Sequence, residues 1–282
     1  MDNPSVIDNQ TLASALAAVR AKVPLVHNIT NYVTVNDCAN TVLAIGASPI
    51  MSDEPEDVVD IQTICGGLVV NIGTLNQYTI KGMHVACEKA AELGHPIVLD
   101  PVGAGASALR TNTAAQILDK YPVSIVRGNM SEIKALADGA TTTRGVDVCP
   151  DDVVTDANLA ESATFARVFA AKAHAVVAIT GVIDLVADSQ RAFALRNGSA
   201  WQGRMTGAGC MLSCLTGAFV VACDDALVAA VSAVGAMGVA GSLAEQRLLP
   251  GEGNASFRTR MIDALSLLDG DTFAETVILK EL

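Results

Sequence analysis

The chain has 282 residues, 51% of them hydrophobic and 17% charged, with a formal net charge of −12. That length suits one domain with a large buried core, or at most two. The acidic balance argues against nucleic acid, whose phosphates select basic faces, although a few backbone N–H groups and one Arg can still hold a nucleotide.

Strand and helix signals alternate along the chain. Leu25 to Asn28 reads as a short strand, followed by a helix from about Thr34 to Ile45 and a second strand from Pro49 to Ser52. Leu68 to Ile72 is an apolar run that predicts a buried strand, with a helix from Asn76 to Leu93 after it. Ile97 to Asp100 is the next strand, then a helix near Leu109 to Lys120. Ser124 to Arg127 leads into a helix at Ser131, and Ala175 to Ile179 follows a helix from Asn158 to Ala173. Asp184 to Leu195 alternates as an antiparallel hairpin would, with Asp188-Ser189 near its turn, and from Gly207 to Leu268 the chain reads as almost wholly helical. Non-alternating apolar strands separated by helices imply a parallel sheet covered on both faces. Gly139 to Asp152 is polar and reads as a surface loop or crossing segment. No linker or internal repeat divides the chain, so residues 1–282 are expected to form a single domain.

Seven cysteines without a Cys-x-x-Cys pair suggest reduced thiols in a cytosolic protein. Met1-Asp2-Asn3-Pro4 has neither a basic nor an apolar leader pattern, so no signal peptide is expected. The uncharged run from Ala226 to Ala244 is long enough to imitate a membrane span. Its Ala, Gly and Ser content favours a buried or interface helix, and no membrane partner is expected.

Ligands of such sheets sit beyond the carboxyl ends of the strands. Asn28, Met51, Asn71, Gly73, Asp100, Arg127, Asn129, Thr180 and Gly181 each end or follow an apolar run. Asp100 opens Asp100-Pro101-Val102-Gly103-Ala104-Gly105, where a carboxylate could hold Mg²⁺ through water or cap the next helix. Arg127 could meet phosphate oxygens with its planar donors, or it could be a surface residue. Ser131 is a candidate N-cap, and Glu132 lies in a first helical turn, where negative charge is favourable anyway. Thr180-Gly181 suits a nucleotide phosphate or an ordinary turn.

Thr206-Gly207-Ala208-Gly209-Cys210 carries the strongest local signal. Two glycines open a long helix, leaving unpaired N–H groups and the positive dipole end to meet an anion. A helix N-terminus is expected to lower the Cys210 pKa below its usual value of about 8.5, so that a thiolate could accept a hydroxyl proton. Cys38, Cys65, Cys87, Cys214 and Cys223 read as inert buried thiols. No G-x-x-x-x-G-K-[ST] motif is present.

Together these pieces resemble the hydroxyethylthiazole kinase family of thiamine salvage, one of the ribokinase-like kinases. They are His27-Asn28-Ile29-Thr30-Asn31, Asn36-Asp37, Ala47-Ser48-Pro49-Ile50-Met51, Asn71-Ile72-Gly73-Thr74-Leu75, Leu99 to Ala104, Arg127-Gly128-Asn129 with Ser131-Glu132-Ile133, Thr180-Gly181 and Thr206 to Leu212. Their order and spacing fit across nearly the whole chain. The resemblance implies a ribokinase-like three-layer αβα fold with a mostly parallel central sheet and antiparallel edge strands. It implies ATP-dependent phosphorylation of 4-methyl-5-(2-hydroxyethyl)thiazole in the cytoplasm by a homotrimer with active sites between subunits. It places Met51, Gly207 and Asn31 against the thiazole alcohol, Arg127, Thr180 and Gly209 against ATP, and Asp100 and Glu132 at Mg²⁺. Cys210 stands where related sugar kinases carry Asp, and Ala208 replaces the hydroxyl residue usual in this family's glycine loop.

The expected chemistry is in-line γ-phosphoryl transfer, which depends on positioning and on stabilising developing charge. Backbone N–H groups of residues 207–210 would supply that stabilisation, with Cys210 as a modest base. Two other readings stand beside it: a ribokinase-like kinase for another small heterocyclic alcohol such as a hydroxymethylpyrimidine, and a non-catalytic ligand-binding relative.

Overall fold

Strand residues turn alternately to two apolar layers, and this builds the fold. The computed structural model describes residues 6–138 and 152–282. In chain order they form α1 (Asn9–Lys22), β1 (Leu25–Ile29), α2 (Val35–Ile45), β2 (Ser48–Met51), α3 (Val58–Ile64), β3 (Gly67–Asn71), α4 (Gln77–Leu93), β4 (Ile97–Asp100), α5 (Ala108–Lys120), β5 (Val123–Asn129) and α6 (Met130–Asp138). There follow α7 (Leu159–Ala173), β6 (Val176–Thr180), β7 (Asp184–Ala187), β8 (Ala192–Leu195), a 3-10 turn at 200–204, α8 (Ala208–Ala222), α9 (Ala226–Gln246), α10 (Asn254–Leu267), α11 (Gly270–Thr276) and β9 (Leu279–Glu281).

The strands lie in one sheet in the order β2-β1-β3-β4-β5-β6-β7-β8-β9. The first six in that order pair in parallel, and β7, β8 and β9 add antiparallel partners at one edge. Val26, Val69, Val98 and Ile125 face a core shared with α1, α2, α8, α9 and α10. Their neighbours Leu68, Val70, Leu99 and Val126 face a second core shared with α4, α5, α6 and α7. Because both faces are covered, these strands are apolar throughout, and this three-layer α/β arrangement agrees with the expected fold class.

The connection from β1 leads to β2 on one side, while β3 lies on the other. This reversal opens a crevice at the carboxyl ends of β1 and β3. Helices leave that end under good caps. The Asn76 side chain accepts from the N–H groups of Tyr78 and Thr79 to start α4, and Ser107 accepts from the Arg110 N–H to start α5.

Most predicted elements are present, with ends shifted by a residue or two. Helices α1, α3 and α11 and strand β9 were not anticipated. The first is rich in alanine, α3 and α11 have seven residues each, and β9 has three and takes its place only by pairing with β8. The hairpin forms as expected, its turn fastened by Asp188, whose carboxylate accepts from the N–H groups of Gln190 and Arg191. Helix α9 is long and apolar enough to cross a membrane, but 78% of that apolar window is buried within the fold, as a core helix would be. Of the polar stretch 139–152, only Asp152 lies among the described residues.

Candidate active site

A cavity of about 850 Å³ lies over the carboxyl ends of the parallel strands. Asn31, Asp100, Arg127 and Glu132 reach it from the strand side, as does Thr180. Gly207, Gly209 and Cys210 reach it from the start of α8. Met51 does not line it: this residue ends the edge strand β2 and packs against the first core. Eight of the nine site residues expected from the family resemblance therefore converge on one cleft, and the ninth, Met51, stands apart from it.

The α8 terminus is open. Gly207 is the N-cap, at φ 87°, and makes no side-chain cap. The first helical bond runs from the Met211 N–H to the Gly207 carbonyl at 2.8 Å. The N–H groups of Ala208, Gly209 and Cys210 thus have no partner within the helix, and the positive dipole end adds to their pull on an anion. The two glycines serve different ends. A side chain at Gly207 would collide with the Thr34 methyl and strain a left-handed backbone, whereas one at Gly209 would collide with the Arg127 guanidinium.

Beneath the terminus lies a buried polar network centred on Asp100, which is 0% exposed. Its Oδ2 accepts from Asn71 Nδ2 at 2.7 Å, Ser213 Oγ at 2.7 Å and Arg127 Nη1 at 3.1 Å. Arg127 also donates from Nη2 to Thr180 Oγ1 at 3.1 Å. It is thus a buried residue, and the surface alternative fails. Asp100 caps no helix, which removes the other alternative at that position. Arg110 braces the turns flanking this network, donating to the carbonyls of Gly73 and Val102 at 2.9 Å each.

Glu132 comes from α6, on the opposite layer from α8. Its Oε1 accepts from the Gly103 N–H and its Oε2 from the Asn129 N–H, both at 2.8 Å. Burial, and then the nearby Asp100 charge, raise its pKa to about 7 against the pull of Arg127 and those two N–H groups. Ser131 is not the N-cap expected from the sequence. The cap is formed two residues earlier, where Asn129 Oδ1 accepts from the Glu132 N–H at 2.9 Å, and Ser131 donates to Asp152 instead.

Cys210 also departs from expectation. Burial, followed by the Asp100 charge, raises its pKa to about 11, and Arg127 only partly offsets this. Position at a helix terminus therefore does not suffice to make a thiolate here: the desolvation cost and a buried carboxylate favour the neutral thiol. Cys38 and Cys214 are buried side by side beneath it, and their thiols interact.

Four contributors were missed as site residues. Asn71 appeared only as a strand end. Ser213 lies three residues after Cys210, a spacing that shares a helix face. Asp184 lines the cavity and accepts from the Gly181 N–H at 2.9 Å, and burial raises its pKa to about 7. Thr34 supports Gly207 from below; an ordinary threonine at a helix start gives no local sign of that contact. His27 proves structural: it is 0% exposed and bonded to Gln62 and to the Ser52 carbonyl.

Comparison with known proteins bears on the chain as a whole. The profile of the hydroxyethylthiazole kinase family matches residues 16–271. A hydroxyethylthiazole kinase from Clostridium acetobutylicum is 49% identical over 261 residues, covering 92% of this chain and 96% of that protein. The solved hydroxyethylthiazole kinase of Pyrococcus horikoshii superposes with a TM-score of 0.84 at 37% identity, covering 96% and 98% of the two chains. A pyridoxal kinase from Staphylococcus aureus, solved with pyridoxal, reaches a TM-score of 0.61 at 13% identity over 92% of this chain and 97% of that one. At that identity the likeness extends to the fold alone.

Proposed function

The chain belongs to the hydroxyethylthiazole kinase family, and we propose that it carries out the reaction for which that family is named. That reaction is transfer of the γ-phosphoryl group of ATP to the hydroxyl of 4-methyl-5-(2-hydroxyethyl)thiazole, giving a phosphate for thiamine salvage. The observation that carries this reading is the pairing, across one cleft, of the open N-terminus of α8 with the buried Asp100–Arg127 network. The N–H groups of residues 208–210 would meet the charge that develops on the transferred group, and one such donor is worth about 10²–10³ in rate. Arg127, Thr180 and Gly209 would hold ATP, while Asn31 and Gly207 would border the alcohol. A thiol at neutral pH is not a general base. Cys210 would therefore act by placing the alcohol, and positioning would supply most of the rate.

The carboxylates fit a Mg²⁺ ion. Asp100 Oδ1 is buried without a hydrogen-bond partner, and the Glu132 pKa is raised by burial first and then by the Asp100 charge, both of which a cation would offset. Among the described residues no group of three or more His, Cys, Asp or Glu could enclose a metal. Mg²⁺ suits such a sparse donor set, because it takes one or two carboxylates and completes its shell with water and phosphates. Asp100 and Glu132 would hold it, and when bound it would offset charge on the phosphates.

Met51 gains a role if copies assemble as a homotrimer. The edge position of β2 would let it border a neighbouring copy's cleft, and this supports active sites between subunits. We read residues 1–282 as one kinase domain acting in the cytoplasm. A non-catalytic relative would have no need of the buried ion pair and its unmatched acceptor.

A coupled ADP-release assay with Mg²⁺, ATP and a panel of heterocyclic alcohols tests the reading, with the product identified by mass. ADP release should require the thiazole alcohol. Turnover of a hydroxymethylpyrimidine in its place, or ligand binding with no ADP formed, would overturn it.

A further inference from the structure

The hydrogen-bond directions around Cys210 follow from two backbone N–H groups, which can only donate. Thr34 N–H donates to one side-chain atom of Asn31 at 3.1 Å, so that atom is the amide oxygen; Thr34 Oγ1 donates to it as well, at 3.0 Å. Gly73 N–H donates to Asn71 at 2.9 Å, which identifies the oxygen there in the same way. The Asn31 nitrogen must then face Asn71 Oδ1 at 3.2 Å and Cys210 Sγ at 3.1 Å. The Asn71 nitrogen must face Asp100 Oδ2. Every polar atom of both amides is committed, and neither can flip without setting donor against donor. Cys210 therefore accepts from the protein, and its S–H is left for whatever occupies the cavity.

We propose that Asn31 and Asn71 are positioning residues for phosphoryl transfer: they hold the Cys210 thiol in the one polarity that offers its S–H to the oxygen of the acceptor alcohol. This rests on the kinase reading of the same cleft. The alcohol oxygen keeps one lone pair for the phosphorus and receives the S–H on the other; as the new O–P bond forms, the bond to the ADP oxygen breaks and the hydroxyl proton passes to an oxygen of the transferred phosphoryl group, so the thiol orients the nucleophile without removing its proton. Asn71 is the link that ties this orientation to Asp100, because it donates to the carboxylate while accepting from Asn31.

Asn31→Asp tests the idea with almost no change of shape. One oxygen still accepts from Thr34, but the group facing the sulfur becomes an acceptor and draws the S–H away from the alcohol. Two readouts are taken. The first, made without substrate, is the pH profile of Cys210 alkylation by iodoacetamide, followed by the mass of the Cys210 peptide. The new carboxylate should shift that profile upward and slow labelling about fivefold or more at a given pH. The second is a double-mutant cycle with Cys210→Ala. Asn31→Asp should lower kcat/KM for the alcohol about tenfold or more in the native background and by a clearly smaller factor in Cys210→Ala, where only its own contact with the alcohol is altered, with KM for ATP steady.

Asn71→Leu should act in the same direction, since it releases Asn31. Ser213→Ala, which removes a different donor to Asp100, should leave alkylation unchanged. Thermal melting checks that each variant folds, and the Asn71 variant carries the test if the Asn31 variant does not. An unaltered alkylation profile, or an equal kinetic loss in both backgrounds, would overturn the proposal. If the native protein fails to phosphorylate the thiazole alcohol, the kinase reading falls, and the alkylation arm still decides the polarity.

Discussion

Arg127 Nη1 lies 3.1 Å from Asp100 Oδ2, with the two side chains 7% and 0% exposed. Each charge is left in a low-dielectric interior if the other is removed. Arg127→Leu should therefore destabilise the fold by about 3–5 kcal/mol, the usual cost of breaking a buried pair from one side. The check is a fall in the denaturant midpoint at unchanged slope. Arg127→Lys keeps the charge but not the planar fork that also reaches Thr180 and Ser213, so kcat/KM for ATP should fall about tenfold or more while folding survives.

The two glycines of the α8 terminus should respond differently to a methyl group. Gly209→Ala meets a side-chain guanidinium on an otherwise ordinary helical residue. It should leave the melting temperature nearly unchanged and raise KM for ATP about tenfold. Gly207→Ala meets Thr34 and a left-handed backbone together, so it should lower the melting temperature as well. Adding Thr34→Ser removes the obstructing methyl and keeps the hydroxyl for Asn31; it should restore part of the lost stability. No restoration would show that backbone strain, not the contact, sets the cost.

Cys210 can be replaced by a better proton acceptor in nearly the same volume. Cys210→Asp can still accept from Asn31; it gives up the S–H that orients the alcohol but takes the hydroxyl proton as a general base, and that exchange should preserve or raise turnover. Cys210→Ala offers neither and should lose about tenfold in kcat/KM. Complete loss of activity in a folded Cys210→Asp variant would contradict this account.

Asp184 gives a pH dependence with a definite sign. Its pKa is raised from 3.8 to about 7, chiefly by burial. The folded chain thus holds a proton across that interval that the unfolded chain has already released. Its contribution to stability is complete below the lower value, declines as pH rises, and is gone above about 7. Asp184→Asn should remove this decline, so the stability of the variant relative to the native chain should increase across the interval and then level off. Denaturation curves at several pH values decide it; a constant difference would mean that Asp184 does not titrate there.

The sheet and most of the helices were legible because a buried parallel strand leaves an unbroken apolar run, as at Ile97 to Asp100 and Val176 to Thr180. Strand β9 was not, because three residues carry no period and gain their conformation from β8. Site residues at or near a strand end could be placed from sequence: Asp100, Arg127 and Thr180 meet where the topology brings their strands together. What could not be read was the balance of forces at Cys210. Helix-terminal position is local, but the burial and the carboxylate that reverse its effect come from strands more than a hundred residues away. Asn71 was similarly visible as a strand end and opaque as a connector, since its two partners are 40 and 29 residues distant.

The cleft draws its groups from both sides of the sheet. Gly209 and Cys210 ride on a helix anchored in one layer, Glu132 on a helix anchored in the other, and Asp100 on the strand between. A molecule seated among them is riveted through the whole sandwich. Slippage between the layers would part the rivet, and a filled cleft should quiet the amide exchange of α6 and α8 alike, although neither helix touches the other's core.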